Sequence, residues 1–270
     1  MKPSDVIALK ELLPTSLGSE EIREQIATDI LQRSIFSARM ESAHYLKRLR
    51  EVCTQLLTGQ KDKASAIADL GSLLEQMGHT ADYGTLTNPA SERRLQLILD
   101  TQTQMAASVA RLQSQTPDTV YFTPAWELIR FEPRRVPRPD WRERWNAAGE
   151  SVGWDGAASF RGITGDRMIA LKSSPIWAAL GAGTGGYTDA LGNPYPPFAY
   201  SSGLDWIGID RDECIALGLV APESHPDSAA PSGVSLPRVS IAPTGKDIEE
   251  AAMRYGFPHI GDGLGLEGLE

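Results

Sequence analysis

Cysteine is nearly absent from this chain: Cys53 and Cys214 are the only two. They lie far apart and in no ligand spacing, so they build neither a disulfide framework nor a cysteine metal site and read as reduced structural thiols. No apolar run approaches the roughly 20 residues of a membrane-crossing helix, so no membrane partner is expected. Met1-Lys2-Pro3-Ser4-Asp5 has neither the basic start nor the apolar stretch of a signal peptide, and cytoplasmic synthesis and residence follow as the expectation. The histidines His44, His79, His225 and His259 are scattered and match no metal-ligand pattern. Basic residues are scarce toward the end: from Gly203 onward there are 4 against 12 acidic ones, while the first 202 residues carry 22 and 23. The net charge of -9 therefore sits mainly in the last quarter.

What is present is an ordinary globular composition, 41% hydrophobic and 23% charged over 270 residues, long enough for one large domain or two smaller ones. Residues 1–115 read as helical. Ile22, Ile26, Ile30 and Phe36, then Tyr45, Leu49 and Leu56, make a stripe suited to one or two long helices, with Gly59 as a stop. A second helix is expected from about Lys63 to Met77, bearing Ile67, Leu70 and Leu74 and closed by Gly78 in the left-handed conformation. A third begins near Pro89 and carries Leu95, Ile98, Leu99, Met105 and Val109.

The texture changes at Thr116 and Pro117, after which come 14 of the 18 prolines and all 6 tryptophans. A domain boundary is expected there. Trp126 to Phe131 and Arg167 to Leu171 read as strands. Asp140 and Glu143 form a capping-box signature before Trp141 and Trp145, with Gly149 as the stop. Ser174 and Pro175 open a short helix that Gly181 ends. Beyond about Val220 the chain is rich in Pro, Ser, Ala and Gly and reads as an extended or partly disordered tail, apart from a short helix at Lys246 to Tyr255. The expectation is an α+β protein: a mostly helical region at 1–115, a small mixed α/β domain rich in loops at 116–220, and a tail at 221–270.

Several constellations invite chemistry. Gly181-Ala182-Gly183-Thr184-Gly185-Gly186 matches the dinucleotide-binding glycine pattern, but that pattern needs a strand before it and a helix after it. Here a short helix precedes and Tyr187-Thr188-Asp189 follows, so a turn is expected. Asp205, Asp210, Asp212 and Glu213 lack the spacing of a calcium loop; Asp210 and Glu213 stand instead at cap and third position of a short helix closed by Gly218. No catalytic residue, metal or cofactor is nominated. Two further readings stay open: a toxin-like transferase or hydrolase using the glycine loop with Asp205 or Glu213, and a DNA-binding module using the cluster Arg130 to Arg144, with Arg134, Arg135, Arg138 and Arg142 as the contacts. Trp177, Tyr195, Phe198, Tyr200 and Trp206, beside the proline-braced turn Gly192 to Phe198, offer aromatic surface of the sort interfaces use, or else a small aromatic core.

Two segments resemble the phage Mu F-like head-morphogenesis family. Ser91-Glu92-Arg93-Arg94-Leu95-Gln96-Leu97-Ile98-Leu99-Asp100-Thr101-Gln102-Thr103-Gln104-Met105-Ala106 is similar to the family's helix, in which an Arg-Leu pair precedes an apolar stretch, a Thr-Asn pair and an alanine; Gln102 stands where asparagine is usual. Asp166-Arg167-Met168, Ser174-Pro175-Ile176-Trp177 and Asn193-Pro194-Tyr195-Pro196-Pro197-Phe198-Ala199-Tyr200-Ser201-Ser202-Gly203 resemble the family's later block. Many members end that block in Cys-x-Cys after an upstream histidine; Ser202 and Leu204 occupy the cysteine region here and the histidine has no counterpart. The resemblance implies a non-enzymatic minor head protein in the virion, supporting head assembly and DNA packaging or delivery. It also implies portal or major capsid protein as partner, with packaged DNA as a further one, and residence in the host cytoplasm during assembly.

Overall fold

The computed structural model describes residues 1–80, 85–131, 140–153 and 167–224. The fold is α+β. Its helical part comprises α1 (Pro3–Leu9), β1 (Glu11–Leu12), α2 (Ser19–Gln25), α3 (Thr28–Arg33), β2 (Ser34–Ile35), α4 (Ala43–Leu57), α5 (Lys63–Gln76) and α6 (Glu92–Gln113). There follow α7 (Pro117–Phe122), β3 (Ala125–Arg130), α8 (Trp141–Ser151), β4 (Ile169–Leu171), α9 (Ile176–Gly181), β5 (Leu204–Ile209) and α10 (Arg211–Ala216). The tail expected at 221–270, with its helix at Lys246 to Tyr255, lies outside the described residues from position 225 onward.

The long helices start and stop for local reasons. Ser42, Asp62 and Ser91 each accept a hydrogen bond from the backbone N–H three residues on, occupying a donor that the first turn leaves unpaired. At the end of α5, Gly78 takes φ 90° and the His79 N–H reaches back to the Leu74 carbonyl at 2.9 Å, the closure that a left-handed residue permits. α6 is the axis of the helical part: Leu95, Leu99, Ala106 and Val109 are buried, and α1, α4 and α5 lie against it.

Of the expected stripe, Tyr45, Leu49 and Leu56 lie on one long helix, α4, but Ile22, Ile26, Ile30 and Phe36 are divided among shorter elements and the residues next to them. Glu11 and Leu12 pair in parallel with Ser34 and Ile35, which breaks the helix at Arg33, and Arg39 at φ 55° turns the chain before α4. Ile22, Ile26 and Leu31 consequently gather into a small core of their own. The apolar spacing was compatible with a continuous helix; the tertiary pairing overrode it.

Thr116 marks a change of element type and not a break between cores. Val109 and Leu112 of α6 belong to the same buried cluster as Trp126, Trp177 and Trp206. β3 is the centre of a three-stranded sheet ordered β4-β3-β5, antiparallel on both sides, with Trp126 opposite Ala170 and Gly208, and Leu128 opposite Trp206. Alternation along the strand then divides the residues. Trp126, Leu128, Ala170, Leu204 and Trp206 join the main core, while Ala125, Ile169 and Ile209 face a second cluster with Cys214 and Val220. Side chains occupy backbone acceptors beside the outer strands: Arg111 donates to the Trp206 carbonyl at 3.0 Å, and the Trp177 indole N–H to that of Leu171 at 2.9 Å.

Two caps differ from expectation. Asp140 makes no capping bond; its carboxylate accepts from Arg144 Nε at 2.9 Å, because a charged partner one turn on outcompetes a neutral amide. α8 also runs through Gly149, and Gly153 is the left-handed residue after it.

Lys10 is a lysine enclosed in the helical core. It is 1% exposed, and its Nζ donates to Gln102 Oε1 at 2.9 Å. Burial pulls its pKa from the ordinary 10.5 down to about 7 and pushes the Cys53 thiol up to about 12. Between those two lysine values the unfolded chain holds one proton more than the folded chain at this site. Lys10 therefore adds stability as pH rises through the window and takes it away as pH falls toward 7. Replacing Lys10 by Met together with Gln102 by Leu is expected to raise the urea midpoint over the parent chain more at about pH 6 than at about pH 9. Equal gains at both pH values would refute the assignment.

Candidate functional site

Four of the five aromatic residues nominated as an interaction surface are core. Trp177, Tyr195 and Phe198 are 0% exposed and Trp206 4%, so none can meet a partner in this fold. The reason is geometric. Trp206 points to the main-core face of the sheet, Trp177 stands on the inner side of α9, and the Pro-rich segment folds inward beneath them. Tyr200 alone is partly open, and it lines a pocket.

The arginine cluster divides in the same way. Arg134, Arg135 and Arg138 lie outside the described residues. Arg142 is partly buried on α8, and Arg130 donates to the Ser202 carbonyl at 3.3 Å. Arg144 bonds Asp140 and both carboxylate oxygens of Asp189, at 2.8 and 3.3 Å, with its guanidinium 4.2 Å from the Tyr187 ring centroid. That arginine ties α8 to the loop at 189.

The glycine run is a packed turn after the C-terminus of α9, where helix carbonyls and not amides are presented. A Cβ on Gly181 would fall 1.8 Å from the Asn193 carbonyl oxygen, and the Gly192 N–H donates to the Gly181 carbonyl at 2.8 Å. Of the acidic residues, Asp205 is held by Arg111 through two bonds of 2.9 and 3.0 Å. Asp210 caps α10 by accepting from the Glu213 N–H at 2.8 Å. Glu213 does not return the bond; its carboxylate pairs with Arg167, which also grips Glu127. Among the described residues no group of three His, Cys, Asp or Glu is placed to hold a metal ion.

The cavity that remains as a candidate site has a volume of about 320 Å³. One wall is α6, presenting Leu97, Ile98 and Met105; a second is Ile22, Leu31 and Phe36; the third is Thr188 to Leu191 with Tyr200. The loop of the third wall is fixed by Leu191 N–H to Phe198 C=O at 3.0 Å and Tyr200 N–H to Asp189 C=O at 3.2 Å. Its polar points are Arg23 and Arg94 with Asp189, Gln102 and Asn193. Arg94 is 6% exposed and donates to the carbonyls of Leu86, Thr87 and Ala38 and to the Ser37 hydroxyl. None of these acceptors is charged. Burial lowers the Arg94 pKa, opposed by Tyr45, and the nearby Arg39 lowers it further. Burial also raises that of Tyr200, with Arg23 pulling it back.

Sequence reasoning nominated neither Arg23 nor Arg94. A signal for Arg94 was present, since it is the arginine of the Arg-Leu pair that carries the family resemblance; Arg23 had none. Comparison of the chain with family models, with curated proteins and with solved structures returns no match in any of the three.

The contact at Gly181 separates a packed turn from a phosphate cradle. Gly181→Ala is expected to destabilise the fold by about 3 kcal/mol or more, because the new methyl meets backbone. Gly186→Ala, with φ 91° but nothing within 4 Å of its Cβ, is expected to cost about 1 kcal/mol. Denaturant melts of the two variants check this, and equal costs would contradict it.

Proposed function

We propose that the chain is a minor structural head protein of a tailed phage or prophage, supporting capsid or portal assembly and DNA packaging or delivery, and that it docks on its portal or capsid partner through the pocket beside α6. One observation carries the reading. The two segments that resemble the head-morphogenesis family are separate in the chain, and both contribute to the lining of one cavity: Arg94, Leu97, Ile98 and Met105 from the first, Asn193 and Tyr200 from the second. Residues that resemble a family in order and spacing, and that then converge on one open concave site, are placed as a binding site requires. Asp205 pairs with Arg111 and Glu213 with Arg167, which occupies the two acids that the transferase or hydrolase reading used.

The test is addition of variants to heads assembled without this protein. Leu97 is half-buried on the pocket wall, and Leu97→Trp fills the space without opening a void. It is expected to keep the melting temperature yet enter purified heads at about one tenth of normal abundance, a loss worth about 1.4 kcal/mol of docking. Glu75→Ala, on the exposed face of α5, is expected to enter normally. Normal abundance of the Leu97 variant, or absence of the parent chain from purified heads, would sink the proposal.

A further inference from the structure

On the docking reading, the pocket also states what chemistry its partner must bring. Two arginines, Arg23 and Arg94, line it. Arg94 lines the wall, buried, with only neutral oxygens as acceptors; Arg39 is close enough to depress it electrostatically; Arg23 lines the mouth beside Tyr200. None of the three has a carboxylate at ion-pair distance among the described residues. The acidic groups nearby have other commitments: Asp189 receives both nitrogens of Arg144, and Glu21 takes the Gly18 N–H at 2.6 Å.

A buried cation without a counter-ion is held at a cost that a carboxylate from outside removes. The remainder of the wall is aliphatic and aromatic, with space for one or two large apolar side chains. We infer that the pocket receives a segment of the partner protein in which an apolar anchor residue lies next to a carboxylate, the anchor entering between Leu97, Ile98 and Phe36 and the carboxylate turning to Arg23, with the charge of Arg94, whose terminal N–H groups are occupied, behind it. A neutral or basic apolar segment would leave the arginines as they are, and a free acidic group without an apolar body would leave the cavity unfilled. Charge supplies selectivity here and burial supplies affinity.

The experiment uses the full chain and two acetylated tripeptides, Gly-Gly-Phe and Gly-Gly-Leu, each with a free C-terminal carboxylate or as the amide, and decanoate as a non-peptide carboxylate. Binding is read by calorimetry. The acid forms are expected to bind about tenfold more tightly than the amides, the factor that one charge-assisted contact supplies, and Arg23→Gln is expected to reduce that ratio toward one. Arg23 is exposed on a short helix, so this variant keeps its fold; Leu97→Trp should abolish binding of both forms. Equal affinity of acid and amide, an unchanged ratio in Arg23→Gln, or binding by decanoate with none by either peptide would overturn the inference. Failure of every probe would overturn it too. If Leu97→Trp were still excluded from heads in that case, the docking reading would stand and only the ligand chemistry would fall.

Discussion

The described structure depends on the burial of one side chain, Trp177. Its indole is fully enclosed and in edge contact with Trp126, Trp145 and Trp206, at centroid distances of 6.2, 5.2 and 5.3 Å, with Phe198 stacked at 6.1 Å. Those partners come from β3, α8, β5 and the Pro-rich segment, so one side chain joins four pieces of chain that are distant in sequence. Trp126 and Trp206 stack at 3.9 Å, and the Trp177 N–H closes on the Leu171 carbonyl. Aromatic pairs of this sort are worth about 0.5 to 1.5 kcal/mol each beyond the area they bury. The floor under the 189–200 loop, and with it one wall of the pocket, rests on that cluster.

Local signals were legible where the physics is local. The helix from Lys63 with its stop at Gly78, the strand expected from Trp126 to Phe131 and the short helix after Asp210 could each be read from a few neighbouring residues, because the groups that shape such short stretches of backbone are nearby in sequence. Failures occurred where a distant partner decided. Ser34 and Ile35 leave helix for a strand because Glu11 and Leu12 are beside them. Asp140 abandons its cap because Arg144 and Asp189 form a charged cluster around it. The change in proline and tryptophan content at Thr116 is real, yet it reflects the passage from helix packing to a sheet under the same core.

The candidate pocket had no signal in composition or spacing. Composition and spacing directed attention to aromatic side chains, and those have the largest apolar area and go inside first. The residues left at the opening are small in number and ordinary in kind: two arginines, a tyrosine, a few aliphatics on the less buried flank of α6. Nothing in a linear pattern distinguishes Leu97, half-buried on a pocket wall, from Leu95 two positions earlier, which is in the core. Helical geometry alone separates them, since two residues turn the side chain through about 200°.

Arg94 holds two connecting segments of the helical part together. Its guanidinium bridges the 37–38 turn to the carbonyls of Leu86 and Thr87, clamping the segment before α6 onto the segment before α4. Those acceptors are neutral, but no neutral side chain carries the four N–H groups that meet them, so the clamp itself calls for a guanidinium although its charge gains no ion pair among the described residues. The clamp accounts both for the rigid hold on this side chain and for its being an arginine, since a lysine offers three donors from one point and could not span the same four acceptors.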